Sequence, residues 1–163
     1  MEFVRIGKIV NTHGIKGELR IRSDFEKKEL AFKVGMHLYL GKEKIKQEIT
    51  GYRRHKEFDM VTFKGYQNIN DVLNFLKMGV YVNREDLSLS SGEYLLEDLI
   101  GMEVEEDGEF LGKISDFVYN SNNILLVVEG KKRFYIPYQG NYIEKVSREK
   151  KKIYTKQAKD LIL

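Results

Sequence analysis

The sequence contains no cysteine and no tryptophan, and it has one proline among its 163 residues. Without cysteine there is no disulfide scaffold, no thiolate zinc site, no iron–sulfur cluster and no cysteine nucleophile. Long hydrophobic runs are also missing, since the longest, at residues 124–128, is far too short to cross a bilayer. The first residues lack the apolar region of a signal peptide. We therefore expect a cytoplasmic protein that has no thiol chemistry and does not contact the membrane.

The residues that are present occur in the proportions of a folded protein. Hydrophobic residues make up 42% of the chain and charged residues 33%, which favours packed domains over disorder. The length suits one large domain or two small ones. A run of small polar residues at 88–92 has the composition of a solvated connector. The sequence therefore predicts one domain over residues 1–87, a linker over 88–93 and a second domain over 94–163.

Charge is unevenly distributed along the chain. Residues 1–90 carry 17 Lys+Arg and 12 Asp+Glu, net +5, whereas residues 91–163 carry 11 and 13, net −2. Within the second half, an acidic stretch over residues 93–116 is followed by a basic stretch over residues 131–159. Two interpretations stay open at this point. The two stretches neutralise each other in space, or a basic face meets nucleic acid phosphates.

The periodicity of the first half is mostly that of β-strands. Residues 3–10 and 17–22 alternate with period two and predict a hairpin, whose turn is bracketed by Gly14 and Gly17. A helix is predicted over residues 68–79, capped by Asn68 or Asn70, with Gly79 in a left-handed conformation at its end, and we expect it to cover one end of a barrel. Further strands are predicted at residues 36–40, 49–53, 60–63 and 80–82.

The second half also has strand periodicity. Asp107-Gly108 is a strong hairpin turn, and it is followed by further short strands at roughly ten-residue spacing. Such spacing is typical of small barrels and sandwiches rather than of an enzyme with alternating strands and helices. We predict an all-β fold with one or two short helices, arranged as two small β-barrels in tandem.

The sequence shows no constellation of residues for catalysis, metal binding or cofactor binding. Its three histidines lie about twenty residues apart without acids at ligand spacing, and there is no phosphate-binding loop. The acids at Glu105, Glu106 and Asp107 flank a turn and are expected to be solvated. We therefore predict no enzymatic activity, no cofactor, no metal and no small-molecule substrate. His13 stands apart, because its glycine-bracketed turn can present it to a partner.

Two basic clusters lie in the first half. Residues 52–56, Tyr-Arg-Arg-His-Lys, interleave an aromatic ring with cations, which suits base stacking and phosphate contact. Lys16, Arg20 and Arg22 lie on the predicted hairpin with alternate residues on one side. The two clusters form one positive face for RNA, or they merely solvate the barrel exterior. Lysines at 131–132 and 150–152 fall at predicted turns and are interpreted as solubility features.

Several motifs in this order resemble one bacterial family. Residues 6–20, Ile-Gly-Lys-Ile-Val-Asn-Thr-His-Gly-Ile-Lys-Gly-Glu-Leu-Arg, resemble the opening hairpin of the ribosome maturation factor RimM family. Residues 52–56 and 61–71 follow in that family's order. Residues 98–104, 112–114 and 134–138 resemble its C-terminal PRC-barrel domain. The resemblance covers nearly the whole chain.

The resemblance implies a non-enzymatic factor that binds free or immature 30S ribosomal subunits. It implies assistance in assembling the subunit head, support of 16S rRNA processing and contact with ribosomal protein S19. The family carries a paired aromatic associated with ribosome binding, which falls here on Tyr94 and Leu95, followed by Leu96 where an aromatic is common. These three residues are the expected ribosomal-protein contacts.

For RNA, we expect phosphate contacts from the first barrel. The residues expected to make them are His13, Lys16, Arg20, Arg53, Arg54 and Lys56. Two other classes of function stay open: a PRC-barrel-type module that recognises only protein, and an enzyme that modifies or processes RNA.

Overall fold

The computed structural model describes residues 1–121 and 123–163, which divide into two compact units. The first unit is Met1–Ser90 and the second is Ser91–Leu163. Strands make up most of the regular structure in both units, and the helices are short. None of the helices in the described residues has the length and apolarity needed to span a bilayer. The prediction of an all-β fold with few short helices is confirmed.

Six strands of the first unit close into a barrel in the order β1–β2–β5–β4–β3–β6. All neighbouring strands are antiparallel. The β1–β2 hairpin predicted from the alternating pattern is confirmed, with His13 paired to Glu18 at its tip. The strands are β1 (Phe3–His13), β2 (Glu18–Arg22), β3 (His37–Leu40), β4 (Ile45–His55), β5 (Phe58–Phe63) and β6 (Gly79–Asn83).

Strand alternation separates the interior of this barrel from its outer face. On β2, Leu19 and Ile21 are fully buried, so Glu18, Arg20 and Arg22 point outward. Leu19 pairs with Val61 on β5, and Ile21 pairs with Asp59. Residues paired in this way share one face of a sheet. The register therefore turns Asp59, a carboxylate, to the inner side of the barrel.

The helical segment of the first unit is shorter than the pattern predicts. Asn68 is confirmed as the cap, since its Oδ1 accepts a hydrogen bond of 2.8 Å from the backbone N–H of Asn70. Helix α2 (Ile69–Val72) continues as a 3₁₀ turn (Leu73–Phe75), and the chain then pairs with β1 through the bond from Lys77 N–H to Ile9 O.

The prediction that Gly79 caps this helix in a left-handed conformation is wrong. Gly79 begins β6, and the residue with a positive φ, of 71°, is Lys77. A backbone bond to a distant strand ends the helix.

The tip of the β1–β2 hairpin is anchored to the start of α2. Ile69 N–H donates to Ile15 O over 2.9 Å. Gly17 has a φ of +89°, and a Cβ at this position would lie 2.8 Å from Tyr66 O. Glycine is needed here for both reasons, because only glycine tolerates this backbone conformation without strain and leaves room for the carbonyl. The hairpin tip is therefore a fixed element, and a helix α1 (Lys28–Ala31) follows β2.

The second unit is a six-stranded sheet in the order β10–β9–β8–β7–β12–β11, with β12 and β7 parallel and the other pairs antiparallel. The predicted Asp107-Gly108 turn is confirmed, with φ values of 51° and 81° at the two residues. The hydrophobic core of the second unit includes Val104, Leu126 and Ile153. The strands are β7 (Glu103–Glu106), β8 (Glu109–Asn120), β9 (Asn123–Glu129), β10 (Arg133–Pro137), β11 (Ile143–Ser147) and β12 (Lys152–Thr155).

The expectation that the acids beside this turn are all solvated is wrong for Glu106, which is buried. Its side chain is 5% exposed, because alternation along β7 turns it inward with Val104. Its Oε1 accepts hydrogen bonds from Thr155 Oγ1 at 3.0 Å and from the backbone N–H of Ala158 at 2.8 Å. Glu106 thereby holds β12 and the 3₁₀ turn that follows it (Ala158–Leu161).

Replacing Glu106 with alanine is expected to lower the free energy of unfolding by about 2 kcal/mol, because buried donors lose a charged acceptor. Urea denaturation followed by circular dichroism measures the change. Glu105→Ala is the matched control, since this neighbour makes a partly exposed ion pair with Lys152 and should cost less than about 1 kcal/mol. Equal losses from the two variants would contradict a clamping role for Glu106.

Candidate nucleic-acid interface

Strand alternation divides the basic run at residues 52–56 between the two faces of the barrel. Arg53 contacts Glu18 on the outer face. Tyr52 and Arg54 instead contact Asp59, which belongs to the inner side. The run therefore does not act as one continuous patch, and its members belong to two different groups of side chains.

On the outer face, His13, Glu18, Arg20, Arg53 and His55 form a group that we call the outer cluster. Arg53 Nε and Nη2 donate to Glu18 Oε2 and Oε1 over 2.9 and 2.8 Å, a two-pronged pairing. The hydrogen bond from Arg53 lowers the pKa of Glu18, although burial opposes this effect. Glu18 is therefore ionised and neutralises most of the charge that Arg53 would offer to RNA.

The two histidines of the outer cluster lie side by side. Their ring centroids are 5.4 Å apart, and Arg20 Nη2 donates to His13 Nδ1 over 2.8 Å. Because an arginine has no acceptor, this bond requires an unprotonated Nδ1 on His13. Burial, followed by the charges of Arg53 and its neighbours, lowers the pKa of His55. The cluster therefore places two imidazoles next to permanent cations.

Phe58 supports two arginines on the same face. The guanidinium carbons of Arg20 and Arg22 lie 5.8 and 5.7 Å from the centroid of its ring. Cations over an aromatic face at this distance are attracted to it while their N–H groups remain available. Phe58 therefore holds two arginine side chains in place without neutralising them, as a phosphate-binding surface requires.

On the inner side, the fully buried carboxylate of Asp59 is the centre of a second group. It accepts hydrogen bonds from Tyr52 Oη at 2.6 Å and from Arg54 Nη1 at 3.2 Å, and Lys28 Nζ lies 2.8 Å from its Oδ2. Burial and the bond to Asp59 raise the pKa of Tyr52 to about 12. The Tyr52 ring also stacks on Phe32. Tyr52 and Arg54 thus contribute to the barrel's own structure.

Two further residues predicted to contact RNA lie in turns. Lys16 is exposed at the tip of the β1–β2 hairpin, beside Ile15, which is 75% exposed. Lys56 is exposed in the β4–β5 turn with a positive φ of 56°. Among the residues that the structure describes, neither lysine forms an ion pair. Both lysines are therefore available to a polyanion without first breaking an ion pair, whereas Arg53 and Arg54 are paired with Glu18 and Asp59.

Sequence reasoning did not identify Glu18, Phe58 and Asp59 as parts of this region. A signal for Asp59 exists, since it alternates in step with the apolar Val61 and Phe63 and is therefore expected to face inward. No local signal identifies Glu18 as the partner of Arg53, because the two residues are 35 positions apart.

In the second unit, Tyr94 is half-buried and its Oη accepts a hydrogen bond of 2.6 Å from Tyr138 Oη. Leu95 and Leu96 are 0% and 3% exposed. The backbone N–H of Leu95 donates to Asp98 Oδ2 over 2.7 Å, which starts a 3₁₀ helix (Leu96–Leu99) whose leucines point inward. Of the three expected ribosomal-protein contacts, only Tyr94 therefore presents side-chain surface.

Comparison with known proteins identifies domains of the same family in both halves of the chain. The RimM N-terminal domain model matches residues 4–87, and the RimM PRC barrel domain model matches residues 96–161. A "Ribosome maturation factor RimM" from an Exiguobacterium species is 37% identical over 159 residues, which cover 94% of this chain and 92% of that protein.

Two other matches have the same name. The "Ribosome maturation factor RimM" of Finegoldia magna is 34% identical over 151 residues, covering 91% of this chain and 93% of the relative. The solution structure of the N-terminal domain of RimM from Thermus thermophilus is 24% identical, with a TM-score of 0.46, and covers 53% of this chain and 95% of its own. With both domain models matched in order and identity above 30% over nearly the full length, the chain belongs to the RimM family of ribosome maturation factors.

Proposed function

We propose that this protein is a non-enzymatic maturation factor that acts in the cytoplasm on free or immature 30S subunits. It assists assembly of the subunit head and supports processing of 16S rRNA. The observation that carries this proposal is the presence of both RimM domains, in order, in one chain. Two binding domains joined in one molecule suit a factor that holds several parts of a ribonucleoprotein together.

The first barrel supplies the RNA contact. Lys16 and Lys56 are exposed without ion pairs among the described residues, and Arg20 and Arg22 are held over Phe58. Such cations bind phosphates and release counterions, whatever the RNA sequence. His13 and Arg53 join this surface through the outer cluster, with Arg53 shared with Glu18. Arg54 contributes less, because Asp59 already engages it.

The second unit supplies the protein contact, and ribosomal protein S19 is the partner. Tyr94 offers an aromatic ring that is fixed by its hydrogen bond to Tyr138. Leu95 and Leu96 support it from the interior, where burial of their side chains holds the segment in place. A rigid aromatic residue loses little conformational entropy on binding and is typical of residues that dominate interface energies.

A binding role without catalysis agrees with the chemistry of the outer cluster. Its one carboxylate, Glu18, has a pKa lowered by Arg53 and is therefore ionised. An ionised carboxylate bound to arginine is a poor general acid and a poor general base. The charged groups of the cluster are thus arranged to present positive charge rather than to transfer protons to a substrate.

One observation favours a second candidate, a module that recognises only protein. Two of the cations expected to contact RNA, Arg53 and Arg54, are paired with Glu18 and Asp59. Their charge is then partly cancelled within the barrel. This candidate predicts that binding to 30S subunits depends only weakly on salt.

Sedimentation with purified ribosomal subunits tests the proposal. We expect the intact protein to pellet with free 30S subunits and not with 50S subunits, and Tyr94→Ala to weaken this binding by about tenfold or more, as for a central aromatic contact. Tyr135→Ala is the control, because Tyr135 is also a partly exposed tyrosine of the second unit. No binding to 30S subunits would overturn the proposed function. Equal affinities for the two variants would remove Tyr94 from the contact.

A further inference from the structure

We propose that the outer cluster is a phosphodiester-binding site at which His55 takes up a proton when the anion binds. The inference rests on the proposed RNA contact of the first barrel. It deepens that contact by naming a site for one backbone phosphate and by making its occupancy sensitive to pH. The argument starts from the groups that surround His55.

Charged or titratable groups approach His55 from β1, β2, β4 and the β4–β5 turn. They are Arg20 and Glu18 on β2, Arg53 on β4, and Lys56 in the β4–β5 turn. The His13 ring on β1 lies beside the His55 ring. On β5, the residue paired with His55 is the uncharged Phe58, and Arg22 lies over the Phe58 ring.

Permanent charge around His55 is therefore positive. Three permanent cations, Arg20, Arg53 and Lys56, lower the pKa of His55. The nearby carboxylate of Glu18 is already bonded twice to Arg53, and Glu57, in the same turn as Lys56, is exposed to solvent. Burial disfavours a second proton on the imidazole, and the positive surroundings act in the same direction. In the free protein, His55 is therefore held uncharged at neutral pH.

Two buried polar atoms of the cluster are also unpaired. Within residues 1–121 and 123–163, the buried atoms Arg20 Nε and His55 Nδ1 have no hydrogen-bond partner. Arg20 uses another of its nitrogens on His13, whose Nδ1 is then occupied. Buried polar groups without partners are uncommon in folded proteins, and those that occur often mark a functional site.

A phosphodiester supplies both of the missing features. It brings one negative charge and several oxygen acceptors, and it offers no donor that competes with the cations. The cluster is open to it beside Arg53, whose side chain is 48% exposed, and His55 is only half-buried. The anion reaches the buried Arg20 Nε and His55 Nδ1 when these side chains rotate toward it. Once the anion is present, the local balance of charge favours a protonated His55, which donates from both nitrogens.

The direction in which affinity changes with pH follows from which state, free or bound, holds more protons. The pKa of His55 is lowered in the free protein and rises when the anion binds, so the complex holds more protons than the free protein between these two pKa values. Affinity therefore increases as the pH falls through this interval and levels off below the free pKa. An RNA contact made only by lysine and arginine lacks this dependence, because these cations stay charged throughout.

The test uses the intact protein and an oligouridylate of about ten nucleotides, whose uracil bases do not titrate near neutral pH. From about pH 7.5 to about pH 5.5 we expect affinity to rise roughly tenfold, the change that a pKa shift of about one unit produces. His55→Gln should abolish most of this rise. His37→Gln should preserve it, because His37 lies on β3 beside Glu48, outside the cluster. Nuclear magnetic resonance of the His55 ring should show its pKa rising on addition of the oligonucleotide.

The outcomes separate this inference from the proposed function. Salt-dependent binding of the oligonucleotide with the same pH profile in wild type and His55→Gln would overturn the inference and leave the RNA contact intact. A His55 pKa that does not change when the protein is saturated with the oligonucleotide would likewise overturn the inference and leave the RNA contact intact. Binding to 30S subunits without any binding of the oligonucleotide, at any pH, would overturn both the site and the RNA contact. A His55→Gln variant that melts like wild type ensures that a loss of pH dependence does not arise from unfolding.

Discussion

Replacing Lys16, Arg22 and Lys56 together with glutamate is expected to weaken binding to free 30S subunits about a hundredfold or more, because three phosphate contacts become repulsive. All three side chains are exposed. Arg53 and Arg54 are avoided, since their ion pairs with Glu18 and Asp59 also stabilise the barrel. Affinity measured at several salt concentrations should show a log–log slope reduced by about two to three units.

The control for this variant has the same change in net charge on the other unit. Lys131, Lys145 and Lys150 are exposed lysines of the second unit, and their replacement with glutamate should change affinity by less than about threefold if only long-range charge is altered. Equal losses in the two variants would mean that total charge, not the first barrel's surface, governs binding. Thermal melting of both variants confirms that each remains folded.

The same measurement distinguishes the two candidate functions. A factor that neutralises several phosphates loses affinity steeply as salt rises, whereas a module that contacts only protein does not. An unreduced slope in the Lys16/Arg22/Lys56 variant would therefore favour recognition of protein alone. In that case Tyr94 and its surroundings would account for binding to the subunit.

Asp59→Ala is expected to lower the free energy of unfolding of the first barrel by about 3 kcal/mol, because several hydrogen bonds and ion pairs to one fully buried carboxylate are lost together. Lys28, Arg54 and Tyr52 all converge on this carboxylate. Urea denaturation measures the loss. Ultraviolet titration provides an independent readout, since the Tyr52 pKa should fall from about 12 when its hydrogen-bonding partner is removed, although burial keeps it above its ordinary value.

Glu48→Ala is the control for Asp59. Glu48 lies on the same barrel and pairs with His37 at 3.6 Å, but its side chain is 37% exposed. Exposed pairs of this kind contribute less than about 1 kcal/mol. A small loss for Asp59→Ala, similar to that of Glu48→Ala, would show that the Asp59 group contributes little to stability.

Strand positions and turns were largely predictable from the sequence. The alternation of residues 17–22 and the Asp107-Gly108 pair are local patterns, and the structure confirms both the hairpin and the turn. Helix length was not predictable in the same way, because the backbone bond from Lys77 to Ile9 ends the helical segment. Helical periodicity says nothing about a competing strand far away in sequence.

The candidate RNA-binding surface was predictable only in part. The exposed positions of Lys16 and Lys56 agree with their places in turns. The basic run at residues 52–56 is continuous in the sequence, yet period two sends Arg53 to Glu18 and Arg54 to Asp59. Similarly, Leu95 and Leu96 fall at an expected contact motif but are buried. Whether a side chain is exposed depends on what packs over it, which a motif does not record.

The β-rich character of both halves, the tight turns and the family can be predicted without a structure, because period-two alternation, glycine positions and motif order are properties of neighbouring residues. Which charges are paired depends instead on contacts between residues that are distant in sequence. Glu18 meets Arg53 across 35 positions, and Glu106 meets Ala158 across 52. These partners follow from strand order and register, and they determine which cations are engaged in ion pairs within the protein and which remain exposed without one.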